Sequence, residues 1–134
     1  MDYLTTYVCC GIFGHMVERY FYNKRMEYGD TLNKFFSLKI PFIHVWGIGG
    51  IILLYLYKNN NATNLILLSI IAGILIATLE CIVGNISLNL NGYRTWNYDD
   101  GICPMCNGYV SVDITLCWIM CAYIFFKICE ILSV

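Results

Sequence analysis

Between Leu65 and Leu88 a single charged residue, Glu80, interrupts an otherwise uncharged and largely aliphatic run. A helix needs about 20 mostly apolar residues to cross the roughly 30 Å hydrocarbon core of a bilayer, and this run is long enough. Three further stretches have the same character. The first, 3–22, is uncharged until Glu18 and Arg19; the second, 40–57, carries no formal charge; the fourth, 109–129, holds Asp113 near its start and Lys127 near its end. The composition agrees: 59% of the 134 residues are hydrophobic and 13% charged, against about 45–50% and about 25% in soluble domains. The expectation is an all-α chain, a four-helix transmembrane bundle forming one integral membrane domain over 1–134, with helices over about 3–22, 40–57, 65–88 and 109–129 and a long loop over 89–108. A net charge of -1 leaves no footprint for phosphates, so nucleic acid is not an expected partner.

Loop cations set orientation. Lys24, Arg25, Lys34 and Lys39 occupy the first loop and Arg94 the third, against Lys58 and Lys127 on the opposite side. The first and third loops are therefore expected in the cytoplasm and both termini outside. Met1-Asp2 lacks the cationic start of a signal peptide, so the first segment is expected to remain in the mature chain. The glycosylation sequon Asn61-Ala62-Thr63 lies too close to the bilayer for use.

Helical periodicity puts Ser69, Gly73, Ala77, Glu80 and Gly84 on one arc of roughly 80°, a stripe of small residues with a carboxylate set into it. On the first helix Tyr7, Gly11, Gly14, His15, Glu18 and Tyr22 share an arc of roughly 100°. A carboxylate at bilayer depth is unfavourable by about 2.5–3.5 kcal/mol and faces the bundle interior, a partner or a proton. Glu18, Glu80 and His15, with Asp113, are the intramembrane polar residues to watch; the alternative is that they only fix helix packing by hydrogen bonding. Asp113 also suits the positive start of its helix. The third loop holds Trp96, Tyr98 and Asn107. The rings suit an aromatic belt, or a segment that folds back over the bundle to meet Glu80.

The eight cysteines divide into six within expected helices, where a thiol behaves as a small hydrophobe, and the pair Cys103 and Cys106. Cys103-Pro104-Met105-Cys106 has dithiol spacing, so a thiol-disulfide oxidoreductase is one reading. As zinc ligands the two cysteines supply half of the usual set with no histidine nearby, and no cofactor motif accompanies them. In a reducing cytoplasm both are expected to be free thiols, dispensable and without metal.

The string Glu80-Cys-Ile-Val-Gly84, then Trp96-Asn97-Tyr98-Asp99, Asn107-Gly108 and Trp118, resembles the ABC-transporter type IV (CmpB-like) family, a pattern shared by the vertebrate transmembrane protein 229 family. Gly14, Glu18, Pro41 and Val45-Trp46-Gly47-Ile48-Gly49 are similar to its earlier blocks. Asn97 stands for the usual Asp, His44 for the second Pro, and the cysteine pair has no counterpart. The resemblance implies a small four-helix membrane protein, with Gly108 opening the last helix and a role in transport. Its expected partners are the lipid bilayer and either a second copy or another membrane subunit. A competing reading is an assembly protein that binds a partner through the Ser69, Gly73 and Ala77 stripe.

Overall fold

A computed structural model describes residues 1–21, 42–60, 64–92, 94 and 96–134, with side chains given for all of these but 18–21, 42–43 and 91. Four long helices account for most of them: α1 (Tyr3–Phe21), α2 (Phe42–Asn59), α3 (Leu65–Asn91) and α4 (Val112–Ile131). No strand is formed among the described residues; the one bridge joins Met105 to Val110. Among the described residues the expected all-α, four-helix architecture holds. Two of the helices, over Leu65–Leu90 and Val112–Ile131, are long and apolar enough to cross a membrane. The first-loop cations and the sequon at 61–63 lie outside the described residues.

Local chemistry accounts for the helix ends. The Asp2 carboxylate accepts from the Thr5 amide and hydroxyl, both at 2.8 Å, which satisfies donors left over in the first turn of α1. Asn64 does the same for α3 by accepting from Ile66 N at 2.9 Å. Gly92, at φ 72°, ends α3 in the left-handed conformation and donates to Leu88 O. α4 starts at Val112 because Tyr109 and Val110 are already engaged, the first in the core and the second in the bridge to Met105.

The helices pair as α1 on α2 and α3 on α4, and α2 also touches both members of the second pair. Glycine allows the first pair to approach closely. A β-carbon on Gly47 would lie 2.6 Å from the Tyr7 ring and one on Gly50 2.6 Å from Cys10 Sγ, while one on Gly14 would fall on the Trp46 indole. Trp46 in turn meets Trp118 of α4 with ring centroids 4.3 Å apart, and Tyr57 stacks on Phe126 at 6.0 Å, so aromatic rings join the two pairs. Leu54, Ile76 and Phe126 fill the centre.

Candidate functional site

The α3 stripe is buried along its length: Ser69, Gly73, Ala77, Glu80, Gly84 and Ser87 all lie inside. Its occupant is the chain itself. A β-carbon on Gly73 would meet the backbone of Ile119 at 2.9 Å, and one on Gly84 would fall on the Tyr109 ring. The stripe through which the assembly reading would dock a partner is thus covered within the chain, at Gly73 by α4 and at Gly84 by Tyr109. Ser69 closes its own polarity by donating to Leu65 O at 2.6 Å.

Over the far end of this stripe sits a cap formed by the described residues from Arg94 to Ser111. Trp96, Tyr98 and Tyr109 are its anchors, 2%, 3% and 0% exposed. The Trp96 and Tyr109 rings meet edge to face at 5.0 Å, and Trp96 Nε1 donates to Tyr109 O at 3.4 Å. The rings are therefore core residues rather than a surface belt. Backbone pairing closes the cap on itself, with Tyr98 N donating to Gly108 O at 2.6 Å and Met105 N to Val110 O at 2.7 Å. Arg94 spans it, bridging to Asp99 at 2.7 Å and donating to Asn107 O at 3.1 Å. That guanidinium holds the Asp99 carboxyl below the ordinary carboxylate range. Gly108, at φ 80°, closes a short turn rather than opening α4, and a β-carbon there would collide with Asp99.

Two residues one turn apart on α3 hold two consecutive residues of the cap. Asn85 Oδ1 accepts from Asn107 Nδ2 at 2.8 Å, and Cys81 forms a disulfide with Cys106, their Cα atoms 5.6 Å apart. This overturns the expectation that Cys106 is a free thiol and Cys81 only a small hydrophobe. While that bond stands, Cys106 is neither a zinc ligand nor half of a Cys103–Cys106 dithiol. Cys103 remains free and exposed. The residues that spacing alone did not single out are Cys81, Asn85 and Tyr109. The available signal was a thiol and an amide at i and i+4, flanking Gly84 in a segment otherwise aliphatic.

Glu80 lies next to the disulfide in sequence and one turn from the glycine on which Tyr109 rests, and is 3% exposed. Asp113 lies at the other edge of the cap, where its Oδ1 accepts from Ile102 N at 3.0 Å, so it fastens the cap rather than joining the carboxylate inside the stripe. His15 is half-buried on α1. The side chain of Glu18 lies outside those described. Gly84, Trp96, Tyr98, Asn107 and Gly108 therefore belong to the cap end of the α3–α4 pair, Glu80 lies one turn further in along α3, and Gly14 belongs to the α1–α2 contact.

The family described as "Putative ABC-transporter type IV" matches residues 5–133. The chain belongs to this family. No curated protein and no solved structure matches it. The family name and the two membrane-capable helices together point to association with a membrane.

Proposed function

We propose that the chain is a multi-pass membrane protein that serves as a transport-associated subunit, with Glu80 as its titrating group. The observation that carries this reading is a carboxylate 3% exposed midway along a helix apolar enough to span a bilayer. Burying such a group without a role is costly, and in membrane helices acids of this kind mark ion or proton pathways.

The outer faces support the membrane setting for more than two helices. Leu4, Val8, Ile12 and Met16 recur every four residues on α1 and are exposed, as are Ile74, Ile82 and Ile86 on α3 and Leu116, Met120 and Ile124 on α4. Soluble proteins seldom expose apolar area on this scale. Lipid covers it without cost. Four helices enclose little polar volume, so the subunit works with a second copy or another membrane subunit. Loop cations favour the cytoplasmic side for the cap, whereas the Cys81–Cys106 disulfide favours an oxidising one.

The test replaces Glu80 by Gln, which keeps the shape and hydrogen bonding and removes the charge. Infrared difference spectra between acid and alkaline pH, on protein in lipid vesicles, are expected to show a carboxyl band that Glu80→Gln lacks. Proton entry into those vesicles is expected to fall to the protein-free level in the variant. Identical spectra and identical proton entry for the two proteins would leave Glu80 a packing residue and overturn the reading.

A further inference from the structure

We propose that the Cys81–Cys106 disulfide is exchangeable and that Cys103 is the thiol that opens it, so that the cap alternates between a form stapled to α3 and a form closed on itself. Three cysteines are involved, one on α3 and two in the cap. Two share the bond, and the third is free, exposed and three residues from Cys106, the spacing at which two cysteines readily bridge.

The surroundings favour attack on Cys106. Cys106 is exposed, and an open cleft of about 650 Å³, lined by Arg94, Asp99, Met105, Cys106 and Asn107 among others, brings solvent to it. Cys106 itself, Asn107 after it and Cys103 three residues before it are held where L-residues rarely sit, with φ 52°, 60° and 49°. Such conformations persist only where the surroundings impose them, and they concentrate at switch segments. The cap does not depend on the staple alone, since Tyr109 on Gly84 and the Asn107–Asn85 hydrogen bond remain when it opens.

The step balances within the chain. Cys103, as thiolate, attacks Cys106 Sγ; the Cys103–Cys106 bond forms as the Cys106–Cys81 bond breaks. Cys81 leaves with the electron pair and takes up the proton that Cys103 gave up, so no net oxidation occurs. Two equivalents of a small thiol of the glutathione class then convert the Cys103–Cys106 disulfide into two thiols and are themselves joined as a disulfide. The choice of glutathione rests on the proposed cytoplasmic placement of the cap, where such thiols are abundant; the exchange itself does not.

Cleavage after Arg94 separates Cys81 from both loop cysteines, so the two bonds are distinguishable by peptide mapping. The full-length protein, purified in detergent, is equilibrated with glutathione buffers of graded ratio, quenched with acid, alkylated and digested with trypsin. Wild type is expected to give both a peptide pair linked through Cys81 and a single peptide closed between Cys103 and Cys106. In Cys81→Ser only the second is expected. Cys103→Ser is expected to open the Cys81–Cys106 bond at least about tenfold more slowly under limiting glutathione. Absence of the Cys103–Cys106 peptide from both wild type and Cys81→Ser, or opening of Cys103→Ser at the wild-type rate, overturns the proposal. Placement is read separately, by labelling Cys103 with an impermeant maleimide in sealed vesicles of known orientation.

Discussion

The α1–α2 and α3–α4 pairs use one packing device for different ends. In both, a glycine admits a large ring: Gly14 takes Trp46 and Gly84 takes Tyr109. In the first pair the ring comes from the neighbouring helix. In the second it comes from the cap, so the same close approach holds down a folded segment beside a buried carboxylate, and a disulfide and an amide pair reinforce it. The contrast teaches that a small-residue stripe says how near something comes and not what comes. Here α4 covers one part of the stripe and a loop ring covers the rest.

The largest test of that difference is the staple. Cys81→Ser removes a cross-link spanning 25 residues and is expected to lower the stability of the oxidised protein by about 2–4 kcal/mol. Unfolding in detergent measures the loss. Amide exchange is expected to rise in the cap and to stay unchanged across α1 and α2; faster exchange throughout would show that the pairs are not separable.

Gly84→Val and Gly14→Val sharpen the comparison. Each forces a side chain into a space already filled by an aromatic ring, and overpacking of this kind costs about 1–3 kcal/mol. Similar losses in melting temperature are expected with different local effects. Gly84→Val displaces Tyr109 and exposes the Trp96 ring, which red-shifts tryptophan emission and speeds alkylation of reduced, half-buried Cys81. Gly14→Val leaves Cys81 as protected as in wild type and loosens α1 from α2, raising reactivity of Cys10.

The smallest effect is electrostatic. The Asp99 carboxyl is held below its ordinary range by Arg94, so the folded protein binds the proton less readily than the unfolded chain. Its contribution is complete above the unfolded carboxylate range and is lost as pH falls through the lowered folded value. Both partners are partly exposed, and salt screens the pair. Arg94→Gln is expected to flatten the acid limb of a stability profile slightly and to leave the neutral region within experimental error, although it also removes the hydrogen bond to Asn107 O.

What the sequence determined by itself is local and periodic. Long, sparsely charged apolar runs place α3 and α4, because a bilayer-length helix satisfies its own backbone. Asn64 and Gly92 mark the ends of α3 through contacts within a few residues. The 3.6-residue repeat brings Ser69, Gly73, Ala77, Glu80 and Gly84 to one side. Only the tertiary structure decided what lies against that side. Spacing joins Cys103 to Cys106, yet Cys106 is bonded to Cys81, because Tyr109 resting on Gly84 carries the cap down onto α3 and delivers residues 106 and 107 to Cys81 and Asn85. That pairing depends on where a loop lands after the helices have packed, and no local propensity or periodicity encodes a contact between residues so far apart along the chain.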